Sequence, residues 1–275
     1  MSYVKIGNFK ISSASKRVMF RGVTDSASGS VSRKETKYAG YDGAEYSDIT
    51  LNPRMIAVNG TLFGNSVEDV KKLQNDLLTA CNPLEEAQIY YHNGDREYYA
   101  TAYPSSLPTF SKLNNHTYQF IAYLDLNAFW WLSPSEINEG VFVRENNIKG
   151  SLSLPQAFTT RKQGADIYNN GAVATPLDID ISIHEAFSET LVIRNATYDL
   201  SVIIEDYTFT KGEIITINMG TSDDYTITSS INGNIVKYLS EESEFFHLEK
   251  GYNRLECDHA GISVVARYRE RFLGV

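Results

Sequence analysis

A helical pattern of apolar positions marks one segment in the first half of the chain. Its apolar side chains recur at intervals of three and four residues, which places them on one face of a helix. These residues are Val67, Val70, Leu73, Leu77 and Ala80. Ser66 or Asn65 can cap the amino end, and Asn82-Pro83 stops the pattern because proline cannot continue a helix. The sequence therefore predicts one helix near residues 66–81.

Strand patterns surround this helix. An apolar, β-branched run at Met55–Phe63 precedes it, and His116–Leu124 alternates apolar residues on one face. Between them, Gln88–His92 and Glu97–Thr101 flank Asn93-Gly94, the pair preferred in a type I′ turn because both central residues need positive φ. This region is therefore predicted to contain a hairpin with a type I′ turn.

The N-terminal region is weakly patterned and basic. Only a short strand at Val18–Val23, followed by a polar loop through Ser26–Ser32, is predicted within residues 12–50. Residues 1–40 carry eight basic side chains against two acidic ones, Asp25 and Glu35. The basic residues are Lys5, Lys10, Lys16, Arg17, Arg21, Arg33, Lys34 and Lys37. Such polarity suits docking between charge-complementary protein surfaces, and a solvated face without a partner is the alternative.

The second half of the chain reads as short strands. Leu177, Ile179, Ile181 and Ile183 alternate with polar residues, a pattern typical of a sheet with one solvated face. Eight further strands are predicted at Leu191–Asn195, Ser201–Glu205, Ile214–Asn218, Asp224–Ser229, Ile235–Leu239, Glu244–Leu248, Asn253–Cys257 and Ile262–Tyr268. Because turns punctuate these strands every 8–12 residues or so, the pattern predicts a β-sandwich.

Length and composition support a mainly β protein of two domains. The chain has 275 residues, enough for two domains, with one large β domain as the alternative. Tyr and Phe number 18 and 13, and aromatic side chains suit a half-buried sheet surface. Both tryptophans, Trp130 and Trp131, follow the last predicted strand of the first half, so the boundary is placed near Leu132–Glu136.

Charge and cysteine content exclude several classes. A formal net charge of -9 argues against nucleic-acid binding, which requires a basic face. The two cysteines, Cys81 and Cys257, do not make a disulfide framework, so a reducing compartment is expected. The N-terminus lacks the apolar core of a secretion signal, and no apolar run reaches the ~18 residues of a membrane span. Synthesis as a soluble protein in the cytoplasm is expected.

The search for catalytic chemistry is negative. The chain contains no GxSxG, Walker A, GxGxxG or HExxH motif, and its five histidines are scattered. Asp178 and Asp180 share a strand face and could supply oxygens to calcium, but a solvated face explains them better. Asp223-Asp224 reads as a turn, and neighbouring loop residues such as Glu241, Glu242 and Glu244 rarely form a glycosidase pair. No enzyme activity, cofactor or metal is predicted.

Aromatic residues leave a glycan-binding platform as an open alternative. Tyr90, Tyr91, Tyr98 and Tyr99 face each other across the predicted hairpin, where cross-strand packing already explains them. Packing likewise explains Trp130-Trp131 better than ligand contact does.

Four segments occur in a characteristic order. They are Ile56–Phe63 followed by the helix-bearing segment Gly64–Cys81, the aromatic stretch Asp125–Trp131, the segment Asn169–Pro176, and Phe245–Asn253 with the closing strand Ile262–Tyr268. This layout resembles the distal tail protein of siphophages that infect Gram-positive bacteria, and of related prophage and tailocin particles. The likeness extends over nearly the whole chain, although none of the segments is catalytic.

The resemblance implies both a fold and a structural role. It implies an N-terminal split-barrel-like β domain with one α-helix at residues 1–133 and a C-terminal galectin-like β-sandwich at residues 134–275. Copies of the first domain would form a ring, usually a homohexamer, that joins the tail tube protein and the tape-measure end to the baseplate hub and, in some phages, to receptor-binding proteins. The expected location is the virion tail tip, after synthesis in the host cytoplasm.

Three basic residues are the interface candidates. Lys16, Arg17 and Arg21 lie in the basic N-terminal region and could form one of the two unlike faces that a ring requires, or could meet the tube protein. Two other functions stay open at this stage. One is a lectin-like carbohydrate-binding module, and the other is a minor structural protein of another tail position.

Overall fold

The computed structural model describes residues 1–26, 31–38, 42–142, 144–146, 159–161, 164–220, 225–257, 259 and 261–274. It contains two compact units, one of Met1–Pro134 with Phe272–Val275 and one of Ser135–Arg271. The fold is mainly β, which confirms the predicted fold class. None of the helices in the described ranges is long and apolar enough to cross a membrane.

The described residues of the first part of the chain form eleven strands and one α-helix. In order they are β1 (Tyr3–Ile6), β2 (Phe9–Ser12), β3 (Val18–Ser26), β4 (Val31–Thr36), β5 (Glu45–Leu51), β6 (Met55–Phe63), α1 (Val67–Ala80), β7 (Ala87–His92), β8 (Glu97–Pro104), β9 (Thr109–Asn114), β10 (Thr117–Leu126) and β11 (Trp131–Leu132).

In the second part, the residues that the structure describes form strands and one short 3-10 helix. The strands are β12 (Ile137–Phe142), β13 (Arg144–Asn146), β14 (Thr159–Arg161), β15 (Gly164–Asn169), β16 (Leu177–Ile183), β17 (Leu191–Asn195), β18 (Leu200–Ile204), β19 (Ile214–Met219), β20 (Tyr225–Ser229), β21 (Gly233–Asn234), β22 (Gly251–Cys257), β23 (Ile262–Tyr268) and β24 (Arg271–Phe272), and the 3-10 helix spans Val236–Tyr238.

Seven strands of the first unit close into a barrel. The order is β8-β7-β1-β2-β3-β6-β10, and β10 pairs back onto β8 with Leu126 opposite Ala102. Alternation along each strand sends every second side chain inward, as along β10, where Phe120, Ala122 and Leu124 are buried. Closure removes most free strand edges, so the barrel supplies one continuous core.

The helix packs on this barrel as its apolar stripe predicts. Ser66 is the N-cap, and its hydroxyl accepts a hydrogen bond of 3.1 Å from the amide of Asp69. Val70, Leu73 and Leu77 join the barrel core, which stabilises the helix in its position.

The hairpin β7–β8 forms where the sequence predicts it, but the predicted type I′ turn is wrong. Four residues separate the strands, and of the pair Asn93-Gly94 only Gly94 has a positive φ. The side-chain oxygen of Asn93 accepts from the amides of Asp95 and Arg96, each at 3.0 Å. This side-chain hydrogen bonding favours the longer loop over a two-residue turn.

The end of the chain belongs to the first unit, whereas the predicted second domain ran to the last residue. Phe272 is buried in the barrel core, and its ring lies edge-on to Tyr98 with centroids 5.3 Å apart. The buried Arg54 donates a hydrogen bond of 2.6 Å to the carbonyl of Leu273. These contacts hold the C-terminal segment against the barrel.

The second unit is a sandwich of two antiparallel sheets. One sheet has the order β12-β23-β16-β19-β20-β21 and the other the order β15-β22-β17-β18. Inward side chains from both sheets form one apolar core, in which Ile179, Ile217, Val264 and Leu255 are fully buried. Strands β16, β17 and β23 have the bounds that the sequence predicts.

Two predicted strands of this unit are wrong. Residues 235–239 contain a 3-10 turn, because the side chain of Asn234 accepts from the amide of Val236 at 2.9 Å and so starts a turn. Residues 244–248 form no strand. Phe246 and Leu248 are buried there, but the backbone of Leu248 makes only an isolated bridge with Thr175.

Candidate functional site

The three predicted interface residues lie at the start of β3 and are exposed, but they do not form one free cationic patch. Arg17 forms an ion pair with Asp69 in the first turn of α1. Arg21 donates from Nε to the hydroxyl of the buried Thr61 at 3.2 Å. Lys16, which directly precedes Arg17, is exposed. Two of the three predicted interface residues, Arg17 and Arg21, therefore make contacts within the barrel unit.

The carboxylate of Asp69 is a second cap of the helix. It accepts a hydrogen bond of 2.9 Å from the amide of Asn65 and contacts the guanidinium of Arg17. The backbone hydrogen bond, and with it the Arg17 cation, lowers the pKa of Asp69 below its usual value. Asp69 thus stays charged at neutral pH and joins the start of β3 to the helix.

Three further basic residues of the region, Arg33, Lys34 and Lys37, lie on or beside a hairpin that the sequence pattern did not predict. Among the strands that the structure describes, β4 and β5 pair only with each other, as a separate two-stranded sheet. Lys34 lies 3.8 Å from Asp48, and Lys37 lies 3.0 Å from Glu35. The hairpin β4–β5 therefore balances much of its own charge.

Apolar side chains on this hairpin are exposed. Every residue of β5 is exposed, including Tyr46 and Leu51, and Ile49 is 62% exposed. None of these side chains belongs to the barrel core. Exposed apolar groups of this size on one element mark a protein contact surface, and a lone two-stranded hairpin is only marginally stable in water. We refer to the paired strands β4 and β5 as the exposed hairpin.

A local signal for the exposed hairpin was present in the sequence. Asp42-Gly43 lies between the two strands, and Gly43 has a positive φ of 106°. An Asp-Gly pair between β-prone runs is a hairpin signal. The charged residues along both strands obscured the alternation of apolar and polar positions that predicts a strand.

The candidate calcium ligands hold an arginine instead. Asp178 lies opposite Arg267 in the β16–β23 ladder, and Arg267 Nε lies 2.7 Å from the carboxylate of Asp180. Glu136 lies 3.7 Å from the same guanidinium. Burial raises the pKa of Asp178, and the Arg267 charge opposes that shift. Both carboxylates therefore share an arginine partner, and the described part of the chain holds no cluster of three metal-ligating side chains.

The other chemical candidates that the structure describes are exposed in a loop or have local partners. Glu241, Glu242 and Glu244 are exposed in one loop, and Asp223-Asp224 lies outside the described residues. His184 contacts Ser263 and His247 contacts the carbonyl of Gly220, so each has a local structural partner.

The tryptophans serve packing in the first unit. Trp131 is fully buried in the barrel core beside Tyr91 and Tyr98. The ring of Trp130 lies edge-on to Phe129. Packing in the barrel core therefore accounts for Trp131, whereas Trp130 is half-buried beside Phe129.

Two family models match this chain, one in each half. The family model for the phage tail protein RIFT-related domain matches residues 8–121, and the model for the siphovirus-type tail component, C-terminal domain, matches residues 170–272. The chain belongs to the Dit-like family of siphophage tail proteins. The first model lies in the barrel unit of this Dit-like protein and includes the exposed hairpin, and most of the second lies in the sandwich.

Solved structures agree with this fold. The crystal structure of the Dit protein of phage SPP1, a paradigm of the hub adsorption apparatus in phages that infect Gram-positive bacteria, superposes with a TM-score of 0.68 at 12% identity. The match covers 99% of this Dit-like chain and 100% of that chain. Two structures of the phage p2 baseplate in its activated conformation, with Ca and with Sr, give TM-scores of 0.50 and 0.51 at 13% and 14% identity, with both chains covered completely.

The family sets the role at a coarse level. This Dit-like protein is a structural component of the phage tail and baseplate hub, and its place is in the virion tail. No curated protein matches it in sequence.

Proposed function

We propose that this Dit-like protein closes a homohexameric ring at the tail tip through its barrel unit, and that the exposed hairpin is the main contact arm. The apolar side chains of the hairpin are the observation that carries the proposal. Tyr46, Ile49 and Leu51 lie outside the barrel core, so a neighbouring copy can bury them. A contact between the hairpin of one copy and a different surface of the next is heterologous, and such contacts close into rings.

The division of charge supports contact between barrel units. The barrel unit has 13 basic and 13 acidic side chains, so its formal net charge is zero, whereas the sandwich unit has 12 basic and 21 acidic side chains, a net charge of -9. Six sandwiches of the same negative sign repel one another, while neutral barrels approach without that cost. Ring contacts are therefore assigned to the residues of the proposed N-terminal domain, 1–133.

Lys16, Arg17 and Arg21 are proposed to complete the contact. Arg17 is already engaged by Asp69, so Lys16 and Arg21 are the two cations that can meet an acidic surface of a neighbouring copy or of the tube protein. Exposed charges of this kind mainly steer and align two surfaces rather than supply most of the affinity.

The proposed partners are those expected of a tail-tip connector. The ring would join the tail tube protein and the tape-measure end to the baseplate hub, with receptor-binding proteins as a further contact in the mature particle. We propose synthesis in the host cytoplasm and a purely structural role without catalysis. Support for the latter comes from the scattered histidines and the arginine-neutralised carboxylates described above.

Particle mass tests the proposal. Light scattering on the purified protein, alone and mixed with its tail tube protein, should give a mass six times that of the 30.9 kDa chain, and negative-stain images of the same peak should show a ring with a central channel. A monomer under both conditions would contradict the ring.

A further inference from the structure

Two exposed tyrosines stand side by side on the outer face of the four-stranded sheet of the sandwich. Tyr168 on β15 and Tyr252 on β22 are direct partners in the ladder and are 60% and 51% exposed. Cross-strand partners have Cβ atoms about 4.5–5.5 Å apart, so the two side chains are neighbours on one face of the sheet. The barrel core and the sandwich core do not use them.

A fixed polar network continues this surface along β22. Arg254 follows Tyr252 on the same strand face, and its Nη1 lies 2.6 Å from Asp166 while its Nε lies 3.2 Å from Glu256. The hydroxyl of Tyr252 donates to Asp166 at 2.8 Å. Tyr168, Tyr252, Asp166, Arg254 and Glu256 together define the tyrosine–arginine face.

The sheet holds this face rigid. Strand β22 is internal, between β15 and β17, and its inward residues Asn253 and Leu255 are fully buried. The amide of Arg254 donates to the hydroxyl of Thr197 at 2.8 Å, which fixes the backbone at the centre of the network. Groups mounted on a packed strand and bonded to one another lose little conformational freedom when a ligand binds.

The chemistry of the face indicates its ligand. Its cation is paired with two carboxylates, so it offers polar atoms in fixed positions but no uncompensated positive charge for an anion. The two rings offer apolar faces beside those polar atoms. An ordered array of donors and acceptors next to aromatic rings matches the alternating C–H and hydroxyl groups of a sugar. We propose that the tyrosine–arginine face binds a neutral saccharide.

A protein partner fits this face less well. A protein interface buries a central apolar cluster, whereas here only two rings adjoin a charged network that a flat protein surface would have to desolvate. A sugar keeps the network hydrated at its edges and replaces water by its own hydroxyl groups.

Binding to an oligosaccharide array tests the proposal with the full-length protein. The array should include neutral glucose, galactose, mannose and N-acetylglucosamine series together with sialylated and uronic-acid oligosaccharides. We expect binding to at least one neutral series and none to the acidic ones. Tyr168→Ala and Tyr252→Ala should each weaken it about tenfold, since each removes one ring. Tyr252→Phe keeps the ring, so its affinity for the saccharide should lie between that of Tyr252→Ala and that of the wild type.

The matched control is Tyr103→Ala, which removes a tyrosine of similar exposure, 46%, from the barrel unit and should leave binding unchanged. Melting temperatures equal to that of the wild type exclude unfolding as the cause of weaker saccharide binding in the variants. The proposal is overturned if the wild type binds no neutral saccharide at ~10 mM. Such a result means that the binding free energy is weaker than about -3 kcal/mol. It is equally overturned if binding survives both alanine substitutions, or if these substitutions abolish ring assembly without any saccharide signal. Ring mass measured on the same samples separates this outcome from a failure of the proposed ring.

Discussion

Gly60 on β6 lies directly opposite Phe120 on β10, and the Phe120 ring fills the space that a side chain at position 60 would occupy. A Cβ atom there would overlap the ring and would lie 2.9 Å from the carbonyl oxygen of Met19 on β3. Phe120 is one of the largest fully buried side chains. Shape complementarity between a glycine and a phenylalanine therefore sets the packing on one side of the barrel.

Gly60→Ala should destabilise the barrel. The added methyl group must displace a buried ring or a neighbouring strand, and overpacking of this kind costs about 1–3 kcal/mol of unfolding free energy. Urea denaturation followed by circular dichroism measures the loss. Gly22→Ala is the control, because on the adjacent strand β3 a Cβ meets no atom within 4 Å. Equal midpoints for the two variants would show that Phe120 moves aside freely.

Polar substitutions in the exposed hairpin should break the assembly without unfolding the chain. Tyr46, Ile49 and Leu51 contribute nothing to the barrel core, so Ile49→Ser combined with Leu51→Ser should leave the thermal midpoint unchanged while shifting the ring to monomers. Removing apolar anchors at the centre of an interface typically costs about 2 kcal/mol or more each. Light scattering across a dilution series reports the shift.

The control for the hairpin is Ile231→Ser, which removes an isoleucine of comparable exposure, 56%, from the sandwich. It should assemble as the wild type does. Rings that persist in the hairpin double variant would remove the exposed hairpin from the interface and leave the barrel surface itself as the contact.

Charge reversal at Lys16 and Arg21 should weaken assembly in a salt-dependent way. Lys16→Glu with Arg21→Glu places negative charge where an acidic partner surface is proposed, and the defect should be large at low ionic strength. It should shrink in 1 M salt, where the screening length falls to about 3 Å. Lys211→Glu, at an exposed position of the sandwich, is the control. Assembly that is unchanged at both salt concentrations would exclude these cations from the contact.

Tyr268 should make the sandwich sensitive to alkaline pH. Burial raises the pKa of Tyr268 to about 12, above the value near 10 of an unfolded tyrosine. The folded state therefore prefers the protonated phenol, so the stabilisation from this group is complete below pH 10 and is lost as the pH rises towards 12. Tyr268→Phe should lose less stability than the wild type between pH 9 and 11.5, measured as urea midpoints.

Tyr198→Phe serves as the comparison for that experiment, because this tyrosine is exposed in a turn of the sandwich. An alkaline loss in Tyr268→Phe as large as that of the wild type would assign the pH sensitivity to other groups.

Local patterns in the sequence determined the elements whose signals are contained within a few residues. The apolar stripe with Ser66 as cap defined α1, and strict alternation defined β16 and β23 to the residue. The order of such elements was enough for the mainly β class and for the family resemblance, because periodicity and caps depend on neighbours in the chain and not on distant contacts.

Tertiary structure decided what depends on partners far apart in sequence. Arg267 meets Asp178 and Asp180 only after β23 pairs with β16, which turned a possible cation site into an ion-pair network. Arg17 meets Asp69 only once the helix is packed. The tyrosine–arginine face likewise exists only because β15 and β22, some 86 residues apart at Asp166 and Tyr252, become neighbours.

The exposed hairpin shows most clearly the difference between what local sequence patterns determine and what tertiary structure decides. Its two strands were detectable in principle from Asp42-Gly43, but its exposed apolar side chains could not be told from buried ones by composition. Burial is a property of what packs against a residue, and periodicity alone does not say whether that neighbour belongs to the same chain. The sequence by itself therefore determined the helix and those strands whose local alternation is clear. Only the tertiary structure showed which apolar residues this chain leaves uncovered.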